Sequence, residues 1–285
     1  MASELHFDKF NMRNLVYDET GKFMNPRIAI IAKSGSGKSW VIREILYYLY
    51  KTEIPCGTII APTDKLTKFY DDFIPPCFIF HEYKEEVIPK ILHRQRLIIE
   101  KNEQRTNNNK SKIDPRTFLV MDDCMSSKHL WLKDPSILSI FNEGRHFQLT
   151  FILSMQYSLG IQPELRSNFD FVFLLGEDNF SNRKRLYEHY AGIFPTRELF
   201  ESAFSSLTDN YGCMVINNRL RCSDITKKIF HYKADTTPNF KLGIDKMIKF
   251  NDENFDKNYE KRSQIFDLST HFFKRKNNIK IKLNP

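Results

Sequence analysis

The chain has 285 residues, 41% of them hydrophobic and 27% charged, with a net charge of +8 and an isoelectric point near 9.1. That is enough to bury one large α/β core with a small appendage, and one main domain is expected. The five Cys are odd in number and widely spaced without a C-x-x-C pair, which argues against a disulfide framework or a zinc site and for reduced thiols. No apolar run nears the roughly 18 residues needed to span a bilayer, and the opening MASELHFDKF lacks the basic and apolar regions of a secretory signal. A soluble, non-secreted protein is expected, and the surplus positive charge points to a polyanionic partner.

The first strand in chain order is RIAIIA (27–32), followed by KSGSGKSW (33–40) and then by VIREILYYLY, with a helix read over 38–50. Only 10 Gly occur in the whole chain, yet Gly35 and Gly37 fall two apart in this turn. Residues 32–39 match the phosphate-loop pattern G-x-x-x-x-G-K-[ST] except at its first position, where Ala32 stands. Ala32 matters only if the backbone there must adopt positive φ. In such a loop the backbone N–H groups of Ser34, Gly35, Ser36, Gly37 and Lys38 form an anion nest at a helix N-terminus. The Lys38 ammonium reaches the β- and γ-phosphates of ATP, and the Ser39 hydroxyl completes the shell of Mg²⁺.

Further strands are expected at GTIIAP (57–62), CFIF (77–80), TFLVM (117–121), LTFILSM (149–155) and FDFVFLL (169–175), most of them continuously apolar as strands buried on both faces are. Helices are expected over 64–72, 84–105, 134–143, 179–191 and 197–206, giving an alternation that implies a mostly parallel sheet covered by helices. In the long helix Ile88, Ile91, Leu92, Ile98 and Ile99 make an apolar stripe, and Arg94, Arg96, Lys101 and Arg105 form a solvated face. No internal repeat is present.

Two later segments carry chemistry. After FLVM, Asp122 stands where a carboxylate would hold Mg²⁺ through its shell, and Asp123 can polarise the attacking water as a general base. In EGRHFQLTFILSMQY (143–157) a strand ends in Gln156, placed to sense the γ-phosphate or its water.

The ordered set GSGKS (35–39), FLVMDDC (118–124), GRH (144–146), LSMQY (153–157) and LRSNFDFVF (165–173) resembles the genome-packaging ATPases of large double-stranded DNA viruses, of poxvirus and virophage type, within the FtsK–HerA superfamily. The resemblance covers residues 25–235. It implies an α/β P-loop NTPase fold of RecA or FtsK–HerA type. It also implies a Mg²⁺-dependent ATPase working as a homo-oligomeric ring, which threads double-stranded DNA into a capsid with help from capsid or membrane-associated portal components. The expected location is the host-cell cytoplasm, at the virus factory, and the virion. In such rings an arginine from one subunit completes its neighbour's site. Arg145 is the first candidate and Arg166 the second, and for either the alternative is a structural pairing with a carboxylate. His146 reads as a packed or capping residue. Three segments are expected: a lead-in over 1–26, the ATPase core over 27–235 and a basic, polar extension over 236–285. That extension ends in HFFKRKNNIKIKLNP, with five Lys and Arg and no acidic residue, which suits a DNA arm, a capsid-docking tail or a solubilising end. A cellular FtsK–HerA-type translocase or helicase, a P-loop kinase and a nucleotide-gated assembly protein remain the competing readings.

Overall fold

The computed structural model describes residues 5–158 and 160–256; the basic tail lies outside the described residues. Eight strands form one sheet: β1 (Arg27–Ile31), β2 (Cys56–Ile60), β3 (Ile79–Phe80), β4 (Thr117–Asp122), β5 (Leu149–Met155), β6 (Phe171–Leu175), β7 (Gly212–Asn217) and β8 (Ile229–Lys233). Their order is β3-β2-β4-β5-β1-β6-β7-β8. The pairs from β3 to β6 are parallel, whereas β6–β7 and β7–β8 are antiparallel. The parallel sheet anticipated from the sequence is therefore present, extended by two antiparallel strands that its alternation did not reveal.

Successive residues of the central strands feed opposite faces, as a period of two requires. Ala29, Ile31, Leu119, Met121, Phe151 and Leu153 join one core with Leu92, Trp131, Phe141 and Phe200 from the helices covering that face. Ile28, Ile30, Phe118, Val120, Ile152 and Phe173 join the other with Ile45 and Leu49. The second face also buries Phe10 and Leu15 from the N-terminal segment, and Phe240 and Leu242 beyond residue 236.

Two expected elements differ from the structure. Over 64–72 a single turn, Asp64–Thr67, is followed by a separate 3-10 turn, Tyr70–Asp72. The Asp64 carboxylate captures the Phe69 N–H at 2.7 Å and the Thr67 hydroxyl at 3.0 Å. That capture competes with helix propagation, and Lys68 turns left-handed at φ 51°. In CFIF, Pro76–Phe78 form a 3-10 turn and only Ile79–Phe80 pair with β2. The long helix, Val87–Asn107, buries Gln95 completely within its stripe. Its amide donates to the Pro115 and Phe147 carbonyls, both at 2.6 Å, so a polar residue sits in an apolar row because it closes two loops.

Gly57 of β2 pairs with Phe118 of β4, and a Cβ there would lie 2.0 Å from the fully buried Phe118 ring. Gly57→Ala is expected to lower stability by about 1–3 kcal/mol through overpacking. Gly192→Ala, where an added Cβ meets nothing within 4 Å, should change it by less than about 0.5 kcal/mol. Urea denaturation of both variants checks the contrast; equal midpoints would mean that Phe118 moves aside.

Candidate active site

At the C-terminal end of β1 the Ala32 N–H still donates to the Met155 carbonyl at 2.9 Å, so the chain leaves the sheet only after Ala32. Ala32 is absent from the positive-φ positions, whereas Gly35 (φ 80°) and Gly37 (φ 96°) occupy that region. The loop thus needs glycine at those two places and not at its first. Gly37 caps the helix Lys38–Lys51, whose first N–H groups have no intrahelical acceptor and present a positive dipole end. The Ser36 hydroxyl turns back onto the Lys33 carbonyl at 2.7 Å, bracing the loop.

β4 and β5 deliver the acidic and polar partners side by side, with Asp122 in register with Ser154. The Lys38 ammonium lies 3.3 Å from Asp122 Oδ1 and 2.5 Å from Asp123 Oδ2. All three side chains are at most 14% exposed, so the attraction is weakly screened. The Ser154 hydroxyl donates to Asp122 Oδ1, and the Tyr70 hydroxyl donates to its Oδ2 at 2.9 Å. Burial, reinforced by the Asp122 charge, pushes the Tyr70 phenol well above its ordinary value; it stays protonated and acts as a donor. Asp123 sits in the left-handed region at φ 53°, ψ 34°, and its N–H donates to Ser154 Oγ at 3.1 Å. This turn brings its carboxylate back over the strand end, where the Gln156 amide donates to Oδ2 at 3.3 Å. Its Oδ1 is buried with no hydrogen-bond partner.

The structure therefore brings together Lys38, Asp122, Asp123 and Gln156 in a cleft of about 730 Å³, whose wall includes Ser34, Gly35, Gly37 and Ser39. A larger groove of about 950 Å³, at the N-terminal end of β2, is lined by Tyr50, Phe78, Met247 and Phe250; neither the phosphate loop nor the carboxylate pair faces it. The residue types at the cleft suit Mg²⁺, which is ordinarily held by one or two oxygen side chains plus substrate phosphates. Ser39 and Asp122 line the same wall, and the unpartnered Asp123 oxygen leaves one acceptor for a bound water.

The two arginines are not part of this group. Arg145 pairs with Asp170, which precedes β6, and Asp170 also accepts from the Arg27 N–H at 2.8 Å. This cluster lies at the N-terminal edge of the strands, about 16 Å from the phosphate loop by the rise of the five-residue β1. The Arg145 side chain is 51% exposed. Arg166 lies over the Tyr190 ring at 5.9 Å. Neither reaches the cleft, and no arginine is among the residues lining it.

Sequence reasoning missed Ser154 and Tyr70. A buried serine two residues before Gln156 in an apolar strand was a usable signal for the first. Tyr70 is brought to Asp122 by the broken turn after β2, and no spacing rule announces that.

The model of the poxvirus A32 protein family matches residues 8–183. An uncharacterized protein of Acanthamoeba polyphaga mimivirus is 43% identical over 230 residues, covering 81% of this chain and 79% of that protein. One of Invertebrate iridescent virus 3 is 35% identical over 226 residues, covering 78% and 82%. Among solved structures, the genome packaging NTPase B204 of Sulfolobus turreted icosahedral virus 2, in complex with AMPPCP, shares the fold with a TM-score of 0.51. Its identity is 15%, with 74% of this chain and 99% of that one covered. With a P-loop core, a lysine-bridged carboxylate pair and relatives of this kind, the chain belongs to the poxvirus A32 protein family.

Proposed function

We propose that this protein is the Mg²⁺-dependent ATPase that drives double-stranded DNA into a viral capsid, working as a homo-oligomeric ring in the host-cell cytoplasm. The observation that carries the reading is the buried Lys38–Asp122–Asp123 cluster facing the phosphate loop, in a chain whose relatives come from large DNA viruses. The virus protein with the same fold is a genome packaging NTPase that binds an ATP analogue.

Each residue has a task in that chemistry. The loop from Ser34 to Gly37 and the helix N-terminus cradle the phosphates. Lys38, released from its carboxylates, pairs with the β- and γ-phosphates. Ser39 and Asp122 would hold Mg²⁺, which when bound neutralises charge on the phosphate oxygens. Tyr70 and Ser154 fix the Asp122 carboxylate by one donor on each oxygen. Asp123 accepts the proton of the attacking water, and Gln156, bonded to Asp123, orients it. Arg145 serves the neighbouring subunit's site and Arg166 is the second candidate, because the cleft has lysines but no arginine of its own.

A motor that grips the phosphate backbone hydrolyses ATP faster when it has a track. The rate of phosphate release should rise several-fold with long duplex DNA, whatever its base sequence, and the rise should shrink with added salt. A rate indifferent to DNA, with phosphate passed to a small acceptor instead, would replace the motor by a P-loop kinase.

A further inference from the structure

The turn before β7 places an aromatic ring where the phosphate cleft opens to solvent. Asn210 (φ 47°) and Tyr211 (φ 61°) are consecutive left-handed residues without glycine. Asn tolerates that region, whereas a bulky ring residue there is an outlier. The turn is tightly packed at its end, where a Cβ on the following Gly212 would lie 2.4 Å from the Leu207 carbonyl oxygen. Its product is a Tyr211 residue left 65% exposed, with its ring carbon Cδ1 3.6 Å from where a Gly37 Cβ would be. Among the described residues, the Tyr211 hydroxyl makes no hydrogen bond. Strain that holds a large ring in water, against the last residue of an anion cradle, is the kind that persists at ligand clamps.

Because Lys233 pairs with Gly212, the chain leaving β8, residues 233–236, runs beside Tyr211 and also lines the cleft. It is tied to the phosphate-loop helix: the Asp235 N–H donates to Glu44 Oε2 at 2.9 Å, and Arg43 Nε donates to Thr237 Oγ1 at 2.9 Å. The ring thus stands next to a segment anchored to the same helix that carries the cradle. We propose that Tyr211 is the nucleobase-stacking residue of this site, its ring covering one face of the base while the triphosphate lies in the loop. The inference rests on the ATPase reading above. It names the residue that distinguishes a nucleoside triphosphate from a bare polyphosphate.

The test measures binding of Mg·AMPPCP and of magnesium tripolyphosphate by calorimetry to the unmutated full chain and to Tyr211→Ala, Tyr211→Phe and Trp40→Ala. Stacking on an aromatic side chain is lost with Tyr211→Ala, which should weaken AMPPCP by about 5- to 150-fold. Tyr211→Phe should bind it like the unmutated chain, and tripolyphosphate should bind the unmutated chain and both Tyr211 variants alike. Equal loss of both ligands in Tyr211→Ala would mean that the ring shapes the loop, and would overturn the proposal. So would unchanged AMPPCP affinity in Tyr211→Ala, or a loss confined to Trp40→Ala, whose ring is 50% exposed on the same cleft. If the unmutated chain bound neither ligand, the ATPase reading would fall as well.

Discussion

Asp123→Asn is expected to keep Mg·ATP bound and to slow its hydrolysis by about 10²- to 10⁴-fold, the usual worth of a positioned general base. The substitution is conservative in shape. Asn accepts the left-handed backbone that Asp123 adopts at φ 53°, so the turn and its N–H bond to Ser154 should survive. What disappears is the anionic acceptor at the end of β4. Lys38 keeps Asp122 as a counter-charge at 3.3 Å, so the loop is not left with an isolated buried cation. Single-turnover hydrolysis of prebound ATP, measured beside nucleotide affinity, separates the two effects. Turnover at close to the unmutated rate would reduce Asp123 to a structural neighbour of Asp122.

A still larger loss is expected for Arg145→Ala, about 10³- to 10⁵-fold if its cation completes a neighbouring site, and this loss should be repairable in mixtures. Arg145 and the phosphate loop stand at opposite ends of β1, so one subunit cannot bring them together. Lys38→Ala subunits supply an intact arginine, and Arg145→Ala subunits supply an intact loop. Random mixing in a ring with head-to-tail interfaces makes about a quarter of them complete. Activity should therefore reappear on mixing two inactive preparations. No recovery in proven mixed oligomers would confine Arg145 to its Asp170 and turn attention to Arg166.

The parts of the site that could be read from the sequence are those that follow strand ends. β1, β4 and β5 are predominantly apolar runs, so Lys38, Asp122, Asp123 and Gln156 were located by counting from where each run stops. The helix Lys38–Lys51 was legible because two scarce glycines precede an apolar periodicity. β7 and β8 were not found. GCMVIN is a short apolar run that could equally belong to a buried helix. In IFHYK only Ile229 and Tyr232 are buried, which breaks the simple alternation. Tyr70 and Tyr211 escaped for a different reason. Their positions depend on backbone that leaves regular structure, at Lys68 with φ 51° and Asn210 with φ 47°. A left-handed residue other than glycine carries no marker in a single sequence.

The two margins of the sheet bear on how copies of this chain can meet. On one side β3 offers only Ile79 and Phe80. On the other, residues 8–10 lie against β8, with the Phe10 N–H on the His231 carbonyl at 2.8 Å and the His231 N–H on the Asp8 carbonyl at 3.0 Å. Neither margin presents a long row of free main-chain groups, which is how sheet proteins avoid fusing edge to edge. Among the described residues, then, neither edge of the sheet is built to extend into a second copy's sheet. If copies do assemble as proposed, a contact away from the sheet edges would let them shift against one another without unzipping a backbone ladder.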